Sequence, residues 1–215
     1  MIEHMFASKV ADLQPADLQG SLLASGQPRL PPDLGPVERI DLGQGAWLDW
    51  CSDWLPGADA WFERMLDILP WSGASRPMYD RVVEVPRLMC SFPSPNDRAL
   101  PLELLRLRPI FEAGYERPFP RIGANLYRDG TDSVAMHADK VPFPGDAIIA
   151  IVAIGERRPF HVRPQLPSAH RARRQTFSFG RGDLLVMGGT TQAFFHHGVP
   201  KVTGTARRIS LMFRG

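Results

Sequence analysis

Long apolar runs are missing from this sequence. No stretch of 18 apolar residues occurs in the 215, which excludes a membrane-spanning helix. Cysteine is nearly absent. Cys51 and Cys90 are too few for a disulfide framework and lie near no motif, so packed or surface thiols in a reducing setting are expected. Met1 to Gln19 lacks the charged-then-apolar layout of a secretory signal, so the expected location is cytoplasmic, with no membrane partner. Lysine is scarce as well: of 25 basic residues only Lys9, Lys140 and Lys201 are Lys, leaving 22 Arg. The net charge is only +2, so no strong overall field of one sign exists. What remains is a chain with 44% hydrophobic residues, enough for one sizeable core.

Charge is concentrated locally. Seven Arg and two His lie between Arg157 and Arg181 with no acid among them. Such a run is commonly a solvated face; beside a reactive site it would make a phosphate-binding rim. Along the chain, residues 1–36 are rich in Gln, Leu, Pro and Gly and read as an N-terminal extension, with 37–215 as one catalytic domain. Within that domain, 37–121 is expected to give helical support and a substrate lid. A first strand is expected over Val37–Leu42. A helix follows Pro56-Gly57 with Trp61, Met65, Ile68 and Leu69 on one face, and Pro70 ends it. A second helix, Leu102–Phe111, should end or strain near Pro109.

From Ile122 the pattern changes to short strands and turns. Ile148–Ile154 is continuously apolar, as in a strand buried on both faces. Phe160–Arg163 and Gln175–Phe179 could pair across the Arg-rich loop. The fold class predicted is α+β: a double-stranded β-helix, or jelly roll, of about eight strands over 122–215, backed by helices from the N-terminal half.

The chemistry begins at Met136-His137-Ala138-Asp139. Residues two apart on an extended segment share a face, so His137 and Asp139 can chelate one ion. A third ligand must come from elsewhere, and Phe195-His196-His197-Gly198 is the rich source. Two imidazoles and one carboxylate on one side leave the other side of an ion open, as in non-haem Fe(II) oxygenases. On the last strand Arg208, Ser210, Met212 and Arg214 share one face, and Ile209, Leu211 and Phe213 the other. Inward guanidinium groups need anions, and a dicarboxylate would supply them. Asn125 and Tyr127 likewise share a face.

Taken together, Asn125-Leu126-Tyr127-Arg128-Asp129-Gly130, Asp132-Ser133-Val134, His137-Ala138-Asp139, His197-Gly198-Val199-Pro200 and Arg208-Ile209-Ser210-Leu211-Met212-Phe213-Arg214 resemble the AlkB family. The resemblance covers about Val85 to Arg214. It implies an Fe(II)/2-oxoglutarate dioxygenase, using O2, that removes alkyl groups from nucleobases. The implied substrates are 1-methyladenine and 3-methylcytosine type lesions in DNA or RNA, presented single-stranded or flipped. It also implies His137, Asp139 and His197 as iron ligands, selecting His197 over His196. Arg208 would hold the distal carboxylate of 2-oxoglutarate, with Asn125, Tyr127, Ser210 and Arg214 as its other contacts.

Two positions depart from the family pattern. Val141 stands where an acid usually contacts the damaged base, and Ser210 stands where the last strand usually has Asn. On the substrate side, Phe92 is expected to stack on a base, Lys140 to meet a phosphate, and His161 and Arg163 to line the rim. Val141 and the small net charge also suit an oxygenase acting on a protein or small molecule. A non-catalytic nucleic-acid binding module is the third reading.

Overall fold

The structure is a computed structural model and describes residues 28–78, 81–94, 96–166 and 174–215. Strand β1 (Glu38–Gly43) turns through Gln44-Gly45 into β2 (Ala46–Cys51). Helix α1 (Ala58–Ile68), the hairpin β3 (Ser75–Met78) and β4 (Arg81–Glu84), strand β5 (Leu88–Phe92) and helix α2 (Leu102–Tyr115) follow. The second half runs β6 (Arg121–Tyr127), β7 (Val134–His137), β8 (Ile149–Gly155), β9 (Arg158–Pro164), β10 (Gln175–Phe179) and β11 (Asp183–Gly189). The single turn α3 (Thr191–Phe194), β12 (Phe195–Val199) and β13 (Arg208–Arg214) complete it.

Two antiparallel sheets face each other. The larger has the order β1-β2-β11-β8-β13-β6-β5, the smaller β10-β9-β12-β7. This is the jelly roll, with all eight strands of its second half present. The first half is less helical than expected, because β1, β2 and β5 extend the larger sheet at both edges.

Period-two patterning explains why β8 is apolar throughout. Ile148, Ala150, Val152 and Ile154 enter the core under the helices, while Ile149, Ile151 and Ala153 enter the core between the sheets. The helix-side core also takes Trp61 and Met65 from α1 and Leu104, Leu107 and Phe111 from α2. Helix α2 runs through Pro109 to Tyr115, past its expected end. Proline costs that turn one backbone bond, but Leu107 before it and Phe111 after it are both fully buried, and their packing carries the helix onward.

The described end of the N-terminal stretch is fastened to this core. Trp61 Nε1 donates to the Arg29 carbonyl at 3.0 Å, and Trp54 Nε1 to that of Leu34 at 3.0 Å. Residues 1–27 of the expected extension lie outside the described residues, as does the middle of the Arg-rich loop at 167–173.

Candidate metal and anion site

Strands β7 and β12 pair so that His137 lies directly opposite His197. Opposed residues of an antiparallel ladder share a face, and the two rings stand 4.4 Å apart, centroid to centroid. Asp139, just past the end of β7, brings Oδ1 to 3.2 Å from His137 Nε2 and 3.9 Å from His197 Nε2. One ligand atom from each of the three lies within 4.8 Å of the others, close enough to share an ion. His196 falls on the opposite face of β12, beside Arg163, so strand parity settles the choice between the two histidines.

The surroundings fix how each donor is presented. His137 Nδ1 lies 2.9 Å from the Ala135 carbonyl, a contact that fixes the ring so that Nε2 points at Asp139 Oδ1. Gln192, buried on α3, accepts the Asp139 backbone N–H at 2.8 Å. No sequence pattern flagged Gln192, since its partner is a backbone group 53 residues away. His197 stacks on Phe160 with centroids 5.7 Å apart.

Electrostatics suit a cation at this point. Burial pushes His197 down to about 3, against the pull of Asp139, so it is a neutral ligand at ordinary pH. Burial opposes ionisation of Asp139, yet the His137 hydrogen bond and the nearby Arg214 and His197 hold it well below the usual carboxylate range. For His137, burial is outweighed by the bonds to Asp139 and the Ala135 carbonyl, and its pKa is raised. A carboxylate held ionised and two directed imidazoles are the donor set that Fe(II) takes.

The wall facing the triad is the inner side of the larger sheet. There the ladder sets Arg208 opposite Tyr127, Ser210 opposite Asn125, Met212 opposite Gly123 and Arg214 opposite Arg121. Gly123 leaves space for its neighbours: a Cβ there would approach the Cys90 carbonyl at 3.2 Å and the Met212 methyl at 3.8 Å. A cavity of about 240 Å³ lies between this wall and the triad, with Asn125, Tyr127, Ser210 and Arg214 lining one side and His137, Asp139 and His197 the other.

Arg208 is wholly buried beneath that wall. Its Nε donates to the Phe179 carbonyl at 3.0 Å and its Nη1 to Ser210 Oγ at 2.7 Å. The rings of Tyr127 and Phe179 each lie 5.1 Å from the guanidinium carbon. Nη2 has no hydrogen-bond partner among the described residues. A buried cation with a spare donor is costly until an anion arrives, so this corner fits a carboxylate. Arg214 Nε donates to Asp139 Oδ2 at 3.0 Å, tying the wall to the triad.

A second buried guanidinium steadies the arrangement. Arg158 donates to the carbonyls of Asp129 (3.0 Å), Asp132 (2.9 Å) and Pro200 (2.6 Å), and its carbon lies 5.3 Å from the Tyr127 ring. It thereby fastens the loop entering β7 to the loop leaving β12. Gly130 allows their close approach, since a Cβ there would overlap the Val202 carbonyl.

Three substrate expectations are corrected. Phe92 lies in the helix-side core, because on β5 it is Met89 and Ser91 that point to the cavity. His161 and Arg163 alternate with Phe160 and Val162, whose side chains fill the core between the sheets. They therefore lie on the outer face of the smaller sheet, away from the triad, and His161 Nδ1 is 3.0 Å from Thr176 Oγ1. The Arg-rich rim shrinks too: Arg157 pairs with buried Asp183, Arg158 is internal, and Arg181 approaches Glu156 at 3.9 Å. Lys140 is exposed beside Asp139 and Arg214, and Val141 packs partly buried on the inner core.

Comparison with known proteins yields a match to the 2OG-Fe(II) oxygenase superfamily over residues 98–214. Alpha-ketoglutarate-dependent dioxygenase alkB homolog 3 from Rattus norvegicus is 31% identical, with 74% of this chain and 60% of that protein covered. The Bos taurus homolog 3 is 32% identical, with 74% and 62% covered. DNA oxidative demethylase ALKBH2 from Arabidopsis thaliana is 28% identical, with 81% and 68% covered. The chain thus spans about three-fifths of the length of the mammalian relatives. Among solved structures, OsALKBH1 superposes with a TM-score of 0.55 at 15% identity, covering 83% of this chain and 99% of that one. A 2OG-Fe(II) oxygenase family protein from Burkholderia pseudomallei gives 0.53 at 16%, covering 78% and 84%. At these identities the two structures speak for the fold alone.

Proposed function

The chain belongs to the 2OG-Fe(II) oxygenase superfamily, and from that premise we propose that it oxidatively removes alkyl groups from nucleobases in DNA or RNA. The AlkB resemblance is borne out by its relatives, which are named as AlkB homologues and a DNA demethylase. The observation that carries the reading is one cavity walled by a His-Asp-His triad, with the half-satisfied guanidinium of Arg208 behind its opposite wall.

His137 Nε2, Asp139 Oδ1 and His197 Nε2 would hold Fe(II), oriented by the Ala135 carbonyl and Gln192. Bound Fe(II), with 2-oxoglutarate and O2, supplies the oxidising power that hydroxylates the N-alkyl carbon while the cosubstrate becomes succinate and CO2. Arg208 Nη2 would donate to the cosubstrate's distal carboxylate beside Tyr127 and Ser210. Asn125 and Arg214 would contact its other oxygens. The inner-core residues Phe160, Ile151 and Val199 line the same cavity and exclude water from it. The hydroxylated carbon then leaves as an aldehyde. Enzymes that do chemistry on a base take it out of the stack, so this reading takes a single-stranded or flipped target.

The test is incubation of iron-loaded protein with oligonucleotides carrying 1-methyladenine or 3-methylcytosine, omitting 2-oxoglutarate as the control. Formaldehyde and unmodified base are expected together. Bound 2-oxoglutarate without either product would reject the reading. Val141, an apolar residue at the position where the AlkB pattern that this sequence resembles has an acid, favours a second reading with a protein or small-molecule substrate. Cosubstrate turnover stimulated by peptide or metabolite and not by oligonucleotide would select it.

A further inference from the structure

With Phe92 buried, Phe143 is an exposed aromatic that lies close to the triad along the chain. It is 76% exposed, the most exposed large apolar side chain among the described residues. It follows Asp139 by four residues, so its Cα lies within about 14 Å of that ligand's. The ring is held out by a braced loop. Pro142 and Pro144 flank it and restrict the backbone. The Asp146 N–H donates to the Phe143 carbonyl at 3.0 Å, and Arg117 Nη1 donates to the Asp146 carbonyl at 2.8 Å. A solvated phenyl ring contributes nothing to the core, and its exposure suits a partner with an apolar face.

Three residues earlier, Lys140 lines a hollow of about 300 Å³ together with Ser91, Arg121, Asp139 and Arg214. Arg121 and Arg214 sit directly opposite each other across β6 and β13, and of the two Arg214 is paired with a carboxylate, Asp139. The one carboxylate in the hollow, Asp139, is engaged by Arg214 and His137. Among the described residues no carboxylate pairs with Arg121 or Lys140. Ser91 adds a hydroxyl donor.

We propose that the hollow and Phe143 together form a subsite for the strand flanking the target nucleotide. Arg121 and Lys140 take a backbone phosphodiester, and Phe143 stacks on a neighbouring base. The inference rests on the nucleic-acid reading given above and extends it. An acidic peptide would satisfy the cations but offer no flat π-face to the ring, whereas a single strand offers both at once. Duplex bases are already stacked, so the subsite prefers single-stranded substrate.

The test is fluorescence anisotropy of the full chain with a labelled single-stranded oligonucleotide, across a salt series. Phe143→Ala should weaken binding roughly tenfold, and Phe143→Trp should keep it, as stacking requires. Arg121→Gln should flatten the plot of log affinity against log salt by about 0.7, one phosphate contact's share. A mononucleotide, which brings phosphate without a neighbouring base, should bind wild type and Phe143→Ala alike. If wild type binds the strand but Phe143→Ala matches it and Arg121→Gln keeps the salt slope, the subsite is overturned and the nucleic-acid reading stands. If wild type binds no oligonucleotide, both fall.

Discussion

On its helix side, β13 presents Ile209, Leu211 and Phe213; on its cavity side the same strand presents Arg208, Ser210, Met212 and Arg214. The helix side joins Trp61, Met65, Leu107 and Phe111 in one apolar cluster. The cavity side carries a guanidinium nitrogen with no partner among the described residues, and faces three groups placed closely enough to hold a metal ion. One strand therefore serves two purposes separated by a single pleat. Apolar burial on one side stabilises the fold enough for the other to hold buried charge with one donor left over for a ligand.

The contrast can be broken at several points. His137→Ala should remove metal binding and turnover completely while leaving the urea midpoint of the metal-free protein nearly unchanged; equilibrium dialysis with Mn(II) beside a denaturation curve checks both. On the other face, Phe213→Ala should lower stability by about 3–5 kcal/mol in the same curve, because a fully buried ring leaves a cavity. A variant that lost metal binding and stability in equal measure on both faces would erase the distinction. Arg208→Met sharpens it further. Calorimetric binding of 2-oxoglutarate should be lost, while the stability of the ligand-free protein should change little, since relief of a buried charge offsets the lost bonds to the Phe179 carbonyl and Ser210.

A smaller effect follows from His197, which stays neutral in the fold down to about 3 while an unfolded histidine protonates near 6.5. Between those values the unfolded chain gains a proton that the folded chain refuses. Stability contributed by this group is thus present above about 6.5 and is lost as pH falls towards 3. Thermal melts of the chelator-treated protein should show that decline, and His197→Leu should flatten it.

Much of the cavity could be read from residues because its signals are short in range. His137 and Asp139 are two apart, the alternating faces of β13 lie within seven residues, and the doubly buried β8 appears as an unbroken apolar run. Strand β2 was not foreseen, since its hairpin turns on Gln44 at a positive φ between two glycines. The base-stacking role given to Phe92 failed by one residue of strand parity, a slip that sends a side chain to the other face. Arg158 and Gln192 are invisible for a different reason: they bind backbone groups, and a carbonyl or N–H leaves no mark in the letters of its residue. The arginine run misled because Arg157 and Arg158 are spent on internal partners, which only the folded arrangement reveals.

Because β7 and β12 are neighbours in the sheet but have β8 through β11 between them in the chain, the ligand pair and its third member start far apart in an unfolded polymer. An ion can recognise only a chain whose second half has already closed. Metal therefore acts as a late fastener: its loss should quicken unfolding, while the speed of folding stays as it was.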